Sequence, residues 1–281
     1  MRSKFWLIAS FVPVFALMAI AYVVPLCSNF VQSLQGKSGE FVGLANYESV
    51  LTSYYFVDSL LYTLKIAIIS TAVSMVLAVV VALALRQTFV GKRLAVFLFQ
   101  MNLTIPRMAA AMIAVMLLSQ TGFVSQIARS LGLVSEATQF PWLVFDTGGI
   151  GVIIAFVWKF FPYIGLSALG VLQGASLELE DQAATLGVGK FRRFWHVTLP
   201  LIVPATSIAS IIVFAAAFGD YELPMVLGSS SHHVLSVYTY MKYCDATMMN
   251  QPEAYVLMIV MSAVLAVVIL GYWKLTSGRG R

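Results

Sequence analysis

Seven polar or charged residues of this chain lie within apolar stretches or directly at their ends. An ionisable group in the hydrocarbon region of a bilayer loses its hydration, so such a residue is by default a candidate for a pathway that carries a polar solute. The chemistry predicted for these side chains is non-covalent, by hydrogen bonding to a solute and by charge pairing with it. The seven residues are Lys65, Asn102, Arg107, Lys159, Asp220, Tyr221 and Glu222.

A structural role competes with a pathway role for each cation. Lys65 and Lys159 lie one or two turns from the ends of their apolar stretches, so their long side chains can also reach the membrane surface. Arg107 follows Pro106, which has no N–H and so frees a backbone carbonyl. Arg107 therefore either satisfies that carbonyl or faces a cavity.

The acidic residues also allow two interpretations. Asp220 and Glu222 flank Tyr221 near the outer end of the fifth apolar stretch. In one interpretation they gate a cationic solute, which the ring face of Tyr221 also attracts. In the other they contact a soluble partner protein. The sequence leaves both open.

The polar segment 177–200 carries a different signal. It begins with acidic residues and good helix formers, which suit a helix N-terminus. Gly187 and Gly189 then interrupt the helical pattern, and a basic, aromatic stretch runs on to Pro200. The pattern predicts a helix, a glycine break and a second short helix. Such a hairpin is either a lever that another protein grips or an amphipathic loop at the lipid headgroups.

Six apolar stretches must position these residues. A spanning helix needs roughly 20 mostly apolar residues, because lipid offers no partner to an exposed backbone amide or carbonyl. The first stretch begins like a signal peptide but continues to about Leu26, so we predict a retained span. Short helices are predicted in the loops 36–58 and 121–133. The predicted spans are 5–29, 60–85, 94–118, 149–174, 199–218 and 254–273.

Composition and charge placement agree with these spans. An apolar content of 60% and a charged content of 10% over 281 residues exclude a water-soluble single domain. About eleven of the 17 Lys and Arg residues fall in the loops on one side of the predicted membrane, and about nine acids fall on the other. The positive-inside rule then places both termini in the cytoplasm. The net charge of +5 therefore reports orientation and gives no indication of nucleic-acid binding.

No motif in the chain predicts an enzyme. His232 and His233 lie beside a run of serines, but a Ser/His pair also needs a third group that orients the base, and none stands at a suggestive spacing. Cys27 and Cys244 do not form a metal-ligating pattern. The chain has no glycine-rich phosphate-binding loop of the Gly-x-x-x-x-Gly-Lys-Ser/Thr type. We therefore predict that the chain is not an enzyme and has no metal site.

The segment 177–200 resembles the EAA loop of ABC-importer permeases. Asp181, Gln182 and Ala183 stand at the Glu-Ala-Ala positions, Gly187 at the glycine, and Val197-Thr198-Leu199-Pro200 closes the motif. Asp for Glu and Gln for the first Ala depart from the pattern. The resemblance continues at 41–47 (Phe-Val-Gly-Leu-Ala-Asn-Tyr), at 59–64 and around 121–133. The stretch 218–228 is similar to the polyamine/opine/iron/thiamine-type branch of the family.

The resemblance implies an all-α integral membrane protein, a six-helix type I ABC-importer permease bundle with a cytoplasmic coupling helix, forming one domain in the bacterial inner membrane. It implies three partners besides lipid: a cytoplasmic ATPase dimer that binds ATP and Mg²⁺, a second permease subunit that is a different chain, and a periplasmic binding protein. The residues it assigns to ATPase coupling are Glu180, Asp181, Gln182, Ala183, Ala184, Gly187, Phe191 and Arg192.

The predicted solute is a polyamine of the spermidine or putrescine kind, because the outer loops are acidic. Ferric iron, thiamine, opines and aminoethylphosphonate remain open within the same class. The competing class is an ion-coupled secondary transporter, which often has repeated halves and mid-membrane ionisable residues. The sequence shows neither a convincing repeat nor an acid deep within a span.

Overall fold

The computed structural model describes residues 2–174, 176–245 and 251–277, and within them the regular elements are helices, apart from one isolated bridge between Gln35 and Phe41. A 3₁₀ turn occupies Ala137–Gln139, and a π-helical turn occupies Phe194–Thr198. The helices are α1 (Arg2–Ser33), α2 (Ala45–Leu51), α3 (Tyr54–Leu85), α4 (Lys92–Thr104), α5 (Arg107–Leu118), α6 (Phe123–Ser130), α7 (Ile150–Leu172), α8 (Ser176–Thr185), α9 (Lys190–Arg193), α10 (Leu199–Gly219), α11 (Glu222–Leu227), α12 (Leu235–Tyr243) and α13 (Gln251–Ser277).

Among the described residues, six helical runs are long and apolar enough to cross a membrane. The prediction of six membrane helices is therefore confirmed, while the orientation stays a prediction. The fifth run is continuous from α9 through the π-helical turn into α10. The runs are Phe11–Ser33, Tyr54–Leu85, Arg107–Ser130, Ile150–Leu172, Lys190–Gly219 and Gln251–Tyr272.

The predicted third span, 94–118, is not one helix. It is divided into α4 and α5 at Ile105 and Pro106, both of which have extended backbone. The physical reason is the proline, which cannot donate to the helix and pushes the residue before it out of the helical region. The apolar run that follows this break extends through α5 and α6 to Ser130. The predicted short outer helices are present as α2 and α6.

Contacts divide the chain into two compact units, 1–58 with 237–268 and 59–236 with 269–281. In the first unit, the amide of Asn46 donates to the carbonyls of Ser33 and Gln35 at 2.8 and 2.9 Å. The hydroxyl of Tyr47 lies 2.8 Å from that of Ser33. The Asn-Tyr pair at the end of the 41–47 motif therefore satisfies polar groups at the end of α1.

The second unit is built around α7, whose side chains are the most deeply buried among the spanning runs. Residues of α3, α4, α7 and α10 share one apolar cluster. The cluster contains Ala82, Leu85, Phe99, Ala168, Leu169, Leu172 and Ile202. Toward the other end of α3, the hydroxyl of Thr63 donates to Ser59 O at 2.6 Å and accepts from Leu235 N at 2.7 Å.

Candidate functional site

The segment 177–200 has the predicted helix, glycine break and second helix. Helix α8 ends in a Schellman motif, in which Gly187 N donates to Ala184 O at 2.9 Å and Val188 N donates to Ala183 O at 3.1 Å. Gly187 has φ +79°, a conformation in which a Cβ is strained. Gly189 precedes α9 with φ −66° and ψ 156°, which any residue can adopt. Only the first of the two glycines is therefore required by the backbone.

Glu180 turns inward and joins three parts of the second unit. Its carboxylate accepts two hydrogen bonds from the guanidinium of Arg86, at 2.6 and 3.0 Å, and a third from the hydroxyl of Thr198 at 2.6 Å. Arg193 Nη1 donates to the backbone carbonyl of Glu180 at 3.3 Å. Bidentate, charge-assisted bonds of this kind are strong and geometrically specific. They fix α8 to the residue after α3 and to the π-helical turn that leads into α10.

The charge state of Glu180 follows from these contacts. Burial raises the pKa of this carboxyl, but hydrogen bonds from Arg86 and Thr198 and the charges of Arg86 and Arg193 outweigh it, so the pKa lies below its ordinary value. Glu180 is therefore ionised at neutral pH. The bidentate bond pairs it with Arg86, whose side chain is 24% exposed.

The other predicted coupling residues lie at the surface of the protein. Asp181, Gln182, Ala184, Gly187 and Arg192 are exposed, and Ala183 is half-buried. Large apolar side chains stand among them, with exposed fractions of 82% for Leu186, 80% for Phe191 and 50% for Trp195. Leu186 and Trp195 are not singled out by the family pattern, and their signal in the sequence is a large apolar residue within a polar loop. We call Leu186, Phe191 and Trp195 the apolar face of the loop.

Asn102 and Lys159 come together at the break between α4 and α5. Lys159 Nζ donates to the carbonyl of Asn102 at 2.8 Å and also to that of Ile105. The side-chain amide of Asn102 donates in return to the carbonyl of Trp158. Lys159 is only 3% exposed and Asn102 only 6%. The snorkelling interpretation of Lys159 is therefore wrong, because its ammonium is held by carbonyls inside the protein.

Arg107 and Asp220 form a second pair, with Nη1 and Oδ2 3.4 Å apart. The Arg107 side chain is 46% exposed, whereas that of Asp220 is 0% exposed. The other oxygen of Asp220 accepts from Leu223 N at 3.2 Å, and its backbone carbonyl accepts from the hydroxyl of Ser236 at 2.7 Å. Asp220 is thus part of the packing between α10 and α11, and Arg107 is the accessible member of the pair.

The remaining candidates stand apart from these two pairs. Lys65 is exposed and donates to the carbonyl of Gly148 at 3.0 Å, ahead of α7, with its Nζ 5.9 Å from the ring centre of Tyr62. Tyr221 is exposed and Glu222 is half-buried at the start of α11. The structure therefore places the candidates in pairs and single residues rather than in one cluster.

Comparison with known proteins finds membrane components of transport systems. The family model for "Binding-protein-dependent transport system inner membrane component" matches residues 74–275. The probable ABC transporter permease protein y4oQ of Sinorhizobium fredii is 28% identical over 241 residues, which cover 81% of this chain and 76% of the relative. The sn-glycerol-3-phosphate transport system permease protein UgpA of Yersinia pseudotuberculosis is 30% identical over 223 residues, which cover 74% and 71%.

A solved structure shares the fold. It is that of a bacterial alginate ABC transporter in complex with an alginate pentasaccharide-bound periplasmic protein. The two chains superpose with a TM-score of 0.79 at 18% sequence identity, covering 96% of this chain and 93% of the other. The helical arrangement described above is therefore one that ABC transporter chains adopt.

Proposed function

Since the chain belongs to the family of binding-protein-dependent transport system inner membrane components, we propose that a cytoplasmic ATPase dimer grips its segment 177–200 and that Arg107 lies on the solute path. The chain is a permease subunit of an ABC importer in the inner membrane, and a partner ATPase hydrolyses the ATP. In this proposal the partner also binds ATP and Mg²⁺. A second permease subunit, a different chain, completes the pathway, and a periplasmic binding protein delivers the solute.

The observation that carries the coupling proposal is that one side of the segment 177–200 exposes its apolar face, while Glu180 on the other side is bonded to the rest of the second unit. Phe191 is 80% exposed, although burial of such a ring is worth about 1.5–3 kcal/mol. Exposed apolar surface rimmed by charge is typical of a protein–protein contact. Glu180, on the other side of the loop, holds Arg86 and Thr198. A displacement of the loop by the ATPase would therefore move the ends of α3 and α10 with it.

Co-purification directly tests whether the ATPase binds the segment 177–200. Phe191→Ser removes the largest part of the apolar face, so we expect the tagged permease to retain at most about a tenth of its ATPase, in line with the 2 kcal/mol or more that an interface hot spot contributes. The matched control is Phe123→Ser, an equally apolar change at a ring that is 58% exposed in the predicted outer helix α6. Equal recovery of ATPase with both variants would rule out the grip.

The solute we propose is a small anion. Asp220 is not available to a cationic solute, because its side chain is buried and paired with Arg107. Arg107 is the accessible charge at the break between α5 and α4. A relative is named for sn-glycerol 3-phosphate, which is an anion. The polyamine predicted from the sequence is not supported by the relatives.

Uptake of two labelled solutes by cells that express the whole importer separates the anion from the polyamine. We expect accumulation of sn-glycerol 3-phosphate and none of putrescine. Arg107→Ala should lower that uptake about tenfold or more, because a charge-assisted hydrogen bond is worth about 1.5–3 kcal/mol. Uptake of putrescine that Arg107→Ala leaves unchanged would contradict both the proposed solute class and the role of Arg107.

A further inference from the structure

Two prolines each remove one backbone donor, Pro106 just after α4 and Pro162 inside the neighbouring helix α7. In an α-helix the carbonyl of residue i accepts from the N–H of residue i+4, and proline has no N–H. Pro106 therefore frees the carbonyl of Asn102, and Pro162, inside α7, frees the carbonyl of Trp158. In the hydrocarbon region of a membrane there is no water to satisfy such a carbonyl. Each helix needs a donor from elsewhere in the protein.

Each of the two helices supplies the donor that the other lacks. The carbonyl of Asn102, freed by Pro106, accepts from Lys159 Nζ at 2.8 Å. The carbonyl of Trp158, freed by Pro162, accepts from the side-chain amide of Asn102. One residue from each helix thus repairs the partner helix, and Lys159 also caps the last carbonyl before the break, that of Ile105.

Close packing permits the exchange. Gly165 lies three residues after Pro162 on α7, and a Cβ at this position would stand 2.5 Å from Cζ of Phe99 on α4. The rings of Phe99 and Phe161 meet edge to face, with their centres 5.3 Å apart. The missing side chain at Gly165 therefore lets α4 and α7 approach, which brings Asn102, three residues after Phe99, within reach of the α7 backbone.

We propose that Asn102 and Lys159 are positioning residues of the importer, which hold open the break just before its third membrane-spanning run and so keep Arg107 beside Asp220. Arg107 is the first residue of α5, two positions after the carbonyl that Lys159 caps. Lys159 Nζ is directed at the backbone, because it donates to the carbonyls of Asn102 and Ile105. This role depends on the permease function but neither on the charge of the solute nor on the ATPase grip.

The proposal predicts specific rescue. In Lys159→Met the Asn102 carbonyl has no donor, and the additional change Pro106→Ala returns an N–H to it. We expect Lys159→Met to lower the thermal unfolding midpoint of the purified importer by about 5 °C, and Pro106→Ala to restore it. Stimulation of ATP hydrolysis by the periplasmic binding protein should fall about tenfold in Lys159→Met. It should stay low in the double variant, because a straightened helix displaces Arg107 from Asp220.

The reciprocal pair supplies the specificity control. Asn102→Leu should lose stability in the same way, and Pro162→Ala should restore its midpoint, whereas Pro106→Ala should not. Lys37→Met, which changes an exposed lysine outside the candidate pathway residues, should leave both readouts unchanged. If Lys159→Met does not assemble, the double variant with Pro106→Ala still should.

Three results would overturn the proposal. The first is a Lys159→Met importer that matches Lys37→Met in both readouts. The second is rescue of Lys159→Met by Pro162→Ala as effective as rescue by Pro106→Ala, or failure of the Lys159→Met, Pro106→Ala importer to assemble. The third is recovery of stimulated ATP hydrolysis together with the midpoint in that double variant, because the break would then have no part in transport. Loss of ATPase binding by Phe191→Ser is a separate matter and does not affect these outcomes.

Discussion

Glu180 and Lys159 each stabilise an irregular backbone segment, but their surroundings differ. Each holds an irregular piece of backbone between helices, the loop before α10 in one case and the break before α5 in the other. Glu180 is paired with the opposite charge of Arg86, whose side chain is 24% exposed. Lys159 is 3% exposed, and its hydrogen bonds go to backbone carbonyls.

The difference shows how surroundings select the partner of a charge. Near water, a carboxylate and a guanidinium can pair while one of them keeps part of its hydration. For the ammonium of Lys159, one of the two acceptors is the Asn102 carbonyl, which Pro106 has already freed, so this contact offsets two desolvation costs. The comparison also ranks the expected losses, since an abandoned Arg86 can be hydrated and an abandoned carbonyl in lipid cannot.

The largest expected loss is on the membrane side. Asn102→Leu leaves the Trp158 carbonyl without a donor and should lower the free energy of unfolding by about 2–3 kcal/mol. Thr104→Val is the matched control, because the Thr104 hydroxyl is exposed and bonds only within its own helix, to Met101 O. Denaturation of the purified importer measures both. Equal stability of the two variants would contradict the larger loss expected at the break before α5.

The loop side should show a smaller loss with a pH signature. Glu180→Gln should cost about 1–2 kcal/mol at neutral pH, because Arg86 loses its charge partner but can be hydrated. The folded pKa of Glu180 lies below its ordinary value of 4.5, so its contribution is present above pH 4.5 and is lost as the pH falls through the folded pKa. Thermal unfolding midpoints between pH 7 and pH 3.5 should therefore converge for wild type and variant. Parallel curves over that range would contradict the assignment.

The smallest effect separates the two glycines of the loop. Gly187→Ala should destabilise the turn after α8 by about 1 kcal/mol, because its φ of +79° strains a Cβ although no atom stands in the way. Gly189→Ala meets no atom either and has an ordinary φ, so it should be neutral. Limited proteolysis of the loop in the assembled importer checks the difference. Equal cleavage of both variants would show that the turn is not a constraint.

Much of the fold could be predicted because its signals are local. Long apolar runs predict six spanning helices, and acids, glycines and a basic stretch predict the shape of the segment 177–200. The break at Pro106 has a local signal in the proline, but the predicted span 94–118 runs through it as one helix. The residue that repairs the break has no such signal, because Lys159 belongs to a helix that packs against the break only in the folded chain.

The roles within the site depended on side-chain direction, which composition does not determine. Glu180 and Asp181 are neighbours in one acidic run, yet on a helix they point about 100° apart, and only the first turns toward Arg86. Asp220 follows an apolar stretch and was expected to be accessible there. The turn into α11 buries it instead, because its carboxylate accepts a hydrogen bond from the first turn of that helix.

The central claim is that the loop 177–200 transmits the motion of the ATPase to α3 and α10 through Glu180. The most direct measurement is ATP hydrolysis stimulated by the binding protein in proteoliposomes that contain the Glu180→Gln importer, with the amount of bound ATPase determined in the same sample. We predict normal ATPase content and about tenfold weaker stimulation than in wild type. Normal stimulation with a normal ATPase content would contradict the claim.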